Sequence, residues 1–357
     1  MTNNYFPQTV LPPSVTLQAK LDELKISSKQ FAIQVAYSEE IIEAILNNND
    51  RITEEIAASF ENVLKIPANF WLRYQARYDE YKMQIATKEW ARQFPYSQMA
   101  KYGWVKITNK IEEKISSLLS FFDISNFTMW EDNYLKQHTE VNFRISLKNT
   151  QNPYAIAAWL RQGEYLANYI SIVPYNEHKF RDNLEKIKDL TLLEDNSFWD
   201  LLQQLCIEAG VKVVYTPTLP KAPIYGSTRW VGENPLIQLS AKYDRNDIFW
   251  FTFFHEAAHI LLHGKNYFSL ENVKYDSLDK IKEQEADEFA INYTFSKIEE
   301  NEVVSFVKKN KYISLIDISN FAKKFNIHPA FIVGRLQRND IIKPTIGRKF
   351  LKSIQLK

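Results

Sequence analysis

Residues 255–259 read His-Glu-Ala-Ala-His, and His263 follows one helical turn later, so three of the chain's six histidines fall within nine residues. Side chains four apart on a helix project from one face. His255 and His259 can therefore hold one metal ion between their imidazoles. Glu256, beside the first histidine, can then act as general base on a water that the metal acidifies. The bland alternative is a buried, hydrogen-bonded histidine pair on an apolar helix. A catalytic zinc takes three protein ligands and keeps one position open, so a third ligand must come from elsewhere. A histidine six residues after His259 would complete one known arrangement, but that residue is Lys265. Three histidines spaced along one straight helix span about 12 Å at 1.5 Å per residue. His263 is therefore expected beside the ion, supporting a ligand or facing substrate, or simply as a charge favoured by the helix C-terminus.

Carboxylates are available in Glu283-Gln-Glu-Ala-Asp-Glu-Phe-Ala290, which starts 24 residues after His259. That interval allows a loop and a returning helix. Ala286, Phe289, Ala290 and Tyr293 give the returning helix an apolar face to press onto the first. Glu285 borders that face and is the expected third ligand. Glu283 is the second choice, because Glu283-x-x-x-Asp287 also matches a spacing found beside HExxH zinc sites. Asp287 would then stand behind a ligand or face substrate.

Several elements must position these groups. A long apolar helix is expected from Asn246 or Asp247, as N-cap, to Gly264, and another covers about residues 280–294. Strands are expected at 211–215, 225–231 and 236–240. The strand at 236–240 is the candidate for edge pairing with an extended peptide. Upstream, residues 12–80 read as short helices. A capping box of Ser27 and Gln30 opens one over 28–35, Ser38 caps one over 39–46, Thr53 caps one ending at Leu64, and a fifth starts near Ala68. Residues 85–205 are helical by period and carry scattered tryptophans expected in the core. Two short helices, about 317–325 and 328–337, close the chain.

The chain has 357 residues, of which 45% are hydrophobic and 24% charged, an ordinary composition for a soluble globular protein of two or three domains. Eight glycines, with no Gly-rich phosphate loop among them, argue against nucleotide chemistry. The single cysteine, Cys206, excludes an internal disulfide or a cysteine-cluster zinc finger. No apolar run spans a bilayer, and the N-terminus has no signal-peptide pattern. A cytoplasmic location without membrane attachment is expected.

The segments Gly226-Ser-Thr-Arg-Trp230, Leu236-Ile-Gln-Leu-Ser240, residues 247–264 around the HExxH, and Glu285-Ala-Asp-Glu-Phe-Ala290 resemble the ImmA/IrrE family of metallopeptidases. Leu17-x-x-x-Leu21, Lys29-Gln-Phe-Ala32, Ile52-Thr53 and Pro67-Ala-Asn-Phe-Trp71 resemble the helix-turn-helix of HigA-type antitoxins, of the lambda-repressor-like class. His328-Pro-Ala-Phe-Ile-Val-Gly-Arg-Leu-Gln337 is similar to the end of fusions of the two. The resemblance implies a zinc-dependent endopeptidase with His255, His259 and Glu285 as ligands and Glu256 as base, joined to a transcription-regulatory unit. Arg229 occupies a family position and joins His263 and Asp287 as a residue expected behind the ligands or facing substrate. Lys29, Gln30, Ser38, Asn47 and Arg51 are the DNA- or partner-binding candidates. The implied substrate is a helix-turn-helix repressor or antitoxin-like protein; DNA, a toxin and a second copy of the chain are further partners to consider. The alternative is a non-proteolytic DNA- or toxin-binding regulator whose peptidase fold serves as scaffold or sensor.

The expected architecture is multidomain. It comprises an all-α helix-turn-helix domain at 1–82, a helical middle at 83–205, an α+β zincin-like domain at 206–300 and a basic helical segment at 301–357. Charge divides the two ends. Residues 11–70 hold five Lys/Arg against nine Asp/Glu, whereas residues 301–357 hold twelve against three. Glu39, Glu40 and Glu43 lie on the expected recognition helix, where carboxylates oppose DNA phosphates, so a protein partner competes with DNA as the target. The basic tail could grip an acidic partner or simply be solvated.

Overall fold

The computed structural model describes residues 9–135, 152–193, 197–220, 222, 224–240, 245–265, 267–270, 277–354 and 356. The chain divides into two compact units, Met1–Ala91 and Arg92–Lys357.

The first unit is helical: α1 (Pro13–Leu24), α2 (Ser28–Val35), α3 (Glu39–Leu46), α4 (Glu54–Leu64) and α5 (Ala68–Arg92). Local chemistry sets the boundaries. The Ser27 hydroxyl accepts the Gln30 N–H, and the Gln30 side chain accepts the Ser27 N–H, closing the expected capping box. The Ser38 and Thr53 hydroxyls accept the N–H of Ile41 and of Ile56 to cap α3 and α4, without the reciprocal bond. Ala36 adopts φ 60° to make the tight turn from α2 to α3, and Asn48, also at φ 60°, follows the end of α3. Leu17, Leu21, Phe31, Ile42 and Ile45 meet Phe60 and Trp71 in one core. The Phe60 ring lies 5.1 Å from Phe31 and 5.6 Å from Trp71.

In the second unit, α6 (Tyr96–Lys101), α7 (Ile111–Phe122), α8 (Phe127–Tyr134), α9 (Pro153–Asn168), α10 (Glu177–Leu190) and α11 (Phe198–Glu208) precede a small mixed sheet. Its strands are β1 (Lys212–Tyr215), β2 (Gly226–Val231), β3 (Asn234–Leu239) and β4 (Ser269–Leu270), in the order β1-β3-β2-β4. β1 runs parallel to β3, and β2 is antiparallel to both β3 and β4. The expected peptide-pairing strand is thus interior: β3 is hydrogen-bonded on both sides, so its backbone has no edge to offer. Among the described residues the edges belong to β1 and the two-residue β4.

Helix α12 (Asn246–Ala258) carries the first part of the histidine run, and a π-helical turn, His259–His263, carries the rest. Its start differs from expectation. Arg245 occupies the N-cap with no side-chain cap bond, because Asp247 is taken by Arg245 and Asn246 by the backbone of Phe350 and Lys352. Next come α13 (Ser277–Thr294), α14 (Lys297–Asn310), α15 (Leu315–Phe325) and α16 (Pro329–Arg338). One core runs through this unit, from Phe180 on α10 through Ile237, Phe253 and Ala290 to Ile332 and Ile354. The basic C-terminal helices are therefore packed into the same core as the sheet.

Two glycines hold this arrangement close. A Cβ on Gly163 of α9 would overlap the Gln238 side chain of β3. Gly210, between α11 and β1, has φ +79°, and a Cβ there would lie 2.6 Å from the Pro174 carbonyl oxygen. Gly210→Ala is expected to destabilise the second unit by at least about 2 kcal/mol through backbone strain. Urea unfolding followed by tryptophan fluorescence would detect this; an unchanged midpoint would show that the chain relaxes around the added methyl group.

Candidate metal centre

α12 and α13 pack face to face because α13 presents small residues to an aromatic helix. Ala286 and Ala290 are fully buried, and the Tyr293 ring stacks on Phe254 at 4.9 Å. Glu283, Ala286, Asp287 and Ala290 stand at i, i+3, i+4 and i+7, one stripe of a helix. The stripe that packs is therefore also the stripe that delivers carboxylates to the histidines.

His255, His259 and Glu283 place their ligand atoms within 4.8 Å of one another. The two Nε2 atoms are 3.0 Å apart. Glu283 puts one carboxylate oxygen 3.2 Å from His255 Nε2 and the other 3.5 Å from His259 Nε2. Two imidazoles on a tetrahedral zinc, with Zn–N near 2.05 Å, have nitrogens about 3.3 Å apart, so the donor set fits such an ion. Burial is the main force holding His259 well below the usual histidine pKa range; the charges of His255, His263 and Lys282 add to it. A neutral imidazole is the form that ligates a metal.

The remaining ring nitrogens are occupied. His255 Nδ1 lies 3.0 Å from Asp287 Oδ1. His259 Nδ1 lies 2.8 Å from His263 Nδ1, and His263 Nε2 lies 3.0 Å from Glu285 Oε2. The Tyr267 hydroxyl donates to Glu283 Oε1 at 3.0 Å. Each of the three clustered groups thus has an orienting partner behind it.

The two candidate carboxylates take different places from those expected. Glu283, not Glu285, joins His255 and His259, while Glu285 reaches His263. The reason is rotation: two residues along a helix turn a side chain by about 200°, and the buried alanines fix which side faces α12. Glu285 is accordingly 53% exposed at its side chain and Glu283 only 21%. His263 lies beside the cluster, four residues after His259 and on the π-helical turn. Tyr267 was missed, since a lone tyrosine after a loop carries no spacing signal.

Glu256 is fully buried against β2. A Cβ on Gly226 would come within 2.7 Å of its carboxylate, so the glycine makes room for it. Arg229 lies on the same strand. Its guanidinium is buried and donates to the Leu160 carbonyl at 2.7 Å and to Gln238 Oε1 at 2.8 Å. Glu164 of α9 lies 3.5 Å away. Burial lowers the Arg229 pKa, opposed first by Glu164 and also by the charges of Tyr134 and Glu256. Burial raises that of Glu164, opposed by Arg229 and Arg161.

In the first unit, Lys29 and Asn47 are exposed. Gln30 and Ser38 spend their side chains on helix caps, and Arg51 pairs with Asp79 at 2.5 Å. On α3, Glu40 and Glu43 are exposed and Glu39 is half-buried.

Residues 206–336 match the family described as IrrE N-terminal-like domain, Peptidase_M78. The second unit carries an IrrE N-terminal-like domain. It spans the sheet, the HExxH helix, the carboxylate helix and α16. Two solved structures are similar to this chain in its N-terminal region. One, described as an antidote protein of a plasmid maintenance system from Nostoc punctiforme, is 26% identical with a TM-score of 0.22, covering 22% of this chain and 87% of its own. The other, described as an addiction module antidote protein of a HigA family from Coxiella burnetii, is 24% identical with a TM-score of 0.21, covering 29% of this chain and 100% of its own. No curated protein matches the chain. No helix among the described residues is long and apolar enough to cross a membrane.

Arg229→Met is expected to destabilise the IrrE N-terminal-like domain by about 3–5 kcal/mol, because it leaves the buried Glu164 with Arg161 alone and removes the donor from the Leu160 carbonyl and Gln238 Oε1. Adding Glu164→Gln should recover part of that loss. Thermal and urea melts of the single and double variants check this; wild-type stability in Arg229→Met would show that the arginine does not hold α9 to the sheet.

Proposed function

We propose that the chain is a zinc-dependent endopeptidase joined to a helix-turn-helix regulatory unit. The observation that carries this reading is the convergence of His255 Nε2, His259 Nε2 and the Glu283 carboxylate in a domain matching the M78 peptidases. His255, His259 and Glu283 would hold the ion. Zinc, when bound, supplies Lewis acidity towards a carbonyl oxygen and acidity to a coordinated water. Asp287 accepts the Nδ1–H of His255 and so directs the Nε2 lone pair to the ion. His263 takes the Nδ1–H of His259 and passes its own Nε2–H to Glu285, fixing both tautomers from one end. The Tyr267 hydroxyl holds one Glu283 oxygen in place. Glu256 accepts the proton of the attacking water at its carboxylate and returns it to the leaving amine nitrogen. The proposed substrate is a repressor- or antitoxin-like protein, as the resemblance to ImmA/IrrE peptidases implies.

For the helix-turn-helix unit, the exposed Glu40 and Glu43 favour a protein partner over the phosphate backbone. The face of α3 that would enter a groove carries repelling charge, and two of the polar candidates are consumed by helix caps.

The purified chain should hold about one zinc per molecule. His259→Ala and Glu283→Ala should lose it, and Glu285→Ala should keep it; elemental analysis reads the outcome. Retention in Glu283→Ala with loss in Glu285→Ala would reverse the ligand assignment. In chelator competition His263→Ala should weaken zinc about 10–100-fold, the usual cost of removing a ligand's supporting partner. Glu256→Gln should keep zinc and fold and lose proteolysis; a variant that still cleaves at the wild-type rate removes Glu256 from the mechanism. Zinc without cleavage of any protein would favour the scaffold or sensor role instead.

The acidic face has its own test. Changing Glu39, Glu40 and Glu43 to Gln in the full chain should leave DNA binding weak and reduce capture of the protein partner. Tight, sequence-specific DNA binding by the wild type at physiological salt would defeat the protein-binding reading.

A further inference from the structure

A cavity of about 680 Å³ lies against the candidate metal centre and is lined by His255, Glu283 and Asp287. α16 contributes a different part of its lining through Gly334, Arg335 and Arg338. Positions 335 and 338 share one helix face. The approach of α16 is tight, since a Cβ on Gly334 would overlap the Asp247 carboxylate.

The charges around this cavity are unequally committed. Asp247 takes both hydrogen bonds from Arg245, at 3.0 and 2.7 Å. Glu283 faces the two imidazoles and the Tyr267 hydroxyl. Asp287 accepts from His255. The lining carboxylates are therefore engaged with groups other than the two arginines of α16. Arg335 has Glu300 at 3.9 Å, the outer limit of an ion pair, and Glu300 also accepts a 2.6 Å bond from Asn339. Yet the Arg335 side chain is only 14% exposed and lies over the Phe251 ring, 5.9 Å from its centroid. Burial lowers its pKa, Glu300 and Asp287 oppose that, and Arg338 adds to it. The influence of Asp287 puts the guanidinium within electrostatic reach of the residue that supports His255. A half-buried guanidinium with a loose counter-ion is a ready partner for a bidentate carboxylate.

We propose that this cavity is the substrate cleft and that Arg335, reinforced by the exposed Arg338, selects a peptide with an aspartate or glutamate side chain close to the scissile bond. The inference takes the peptidase reading as its starting point and adds the class of residue recognised. It also gives the basic C-terminal segment a specific role, in which two of its cations discriminate substrates rather than solvate a tail.

Binding and cleavage are measured separately. The binding probe is a set of fluorescein-labelled nonapeptides of alanine and serine, each with one Glu, Gln or Lys scanned along the sequence. The receptor is the zinc-loaded full chain with Glu256→Gln. Glu at one or two adjacent positions should bind at least about tenfold tighter than Gln there, as expected for a charged hydrogen-bonded contact, and Lys should bind weakest. Arg335→Gln should abolish the preference, Arg335→Lys should keep part of it, and Arg338→Gln should reduce it about threefold. Melting temperatures identify any variant that fails to fold; Arg338→Gln, at an exposed position, then carries the comparison. Equal binding of the Glu, Gln and Lys probes, binding by none, or a preference that survives in folded Arg335→Gln overturns the proposal. Incubating the same probes with zinc-loaded wild type separates the two readings. Cleavage without Glu preference overturns this inference and leaves the peptidase intact. Glu-selective binding without cleavage of any probe supports the carboxylate-selective cleft and counts against the peptidase reading and, with it, the placement beside a scissile bond.

Discussion

The packing of α13 on α12 is the constraint on which the rest of the candidate site depends. Two alanines, Ala286 and Ala290, are small enough to let the helices approach, and the aromatic face of α12 supplies the apolar surface they bury. Once that stripe is fixed, no freedom remains over which carboxylate meets the histidines. Glu283 and Asp287 share the stripe, so one enters the histidine cluster and the other supports His255. Glu285 is rotated away and meets His263 instead. A substitution that enlarged Ala286 or Ala290 would act on the metal site without touching any ligand.

The interior behind this helix pair holds an unusual amount of charge. Glu256, Glu164 and Arg229 are all buried, and a lone buried carboxylate would cost several kcal/mol. Arg229 relieves this by reaching Glu164 and two acceptors on β3 and α9, with its charge also felt at Glu256. The same contacts tie α9 to the sheet. Gly226 and Gly163 matter for the same reason, since each leaves room for a polar side chain from the neighbouring layer. The polar chemistry of the site and the cohesion of the fold are thus two uses of one network.

The two units differ in how they spend charge. In Met1–Ala91 the polar side chains expected to contact a partner mostly serve the helices themselves, through caps and an ion pair, and the exposed acidic side chains of α3 are what a partner would meet. In Arg92–Lys357 the basic C-terminal helices are not an appendage. α16 is buried along Phe331, Ile332, Val333 and Leu336 in the core of the IrrE N-terminal-like domain, which brings Arg335 to the cavity beside the histidines.

Much of this was legible in the residues. The HExxH spacing required a helix with two imidazoles on one face, the capping box at Ser27 and Gln30 marked where α2 begins, and β-branched alternation marked β1. These are local signals, set by backbone hydrogen bonds and side-chain period within a few residues. What lay beyond them needed contacts between distant segments. The choice of Glu283 over Glu285 depended on which side of α13 packs, and that is decided by the surface of α12. The interior place of β3 depended on strand pairing across more than twenty residues. The pairing of His263 with Glu285 depended on α13 folding back against the π turn. Tyr267 gave no sequence signal, and Arg335 was visible only as one cation of the basic tail within the 328–337 segment: each becomes part of the site only because a loop and a C-terminal helix fold back onto it, and residue spacing along a chain does not encode that proximity.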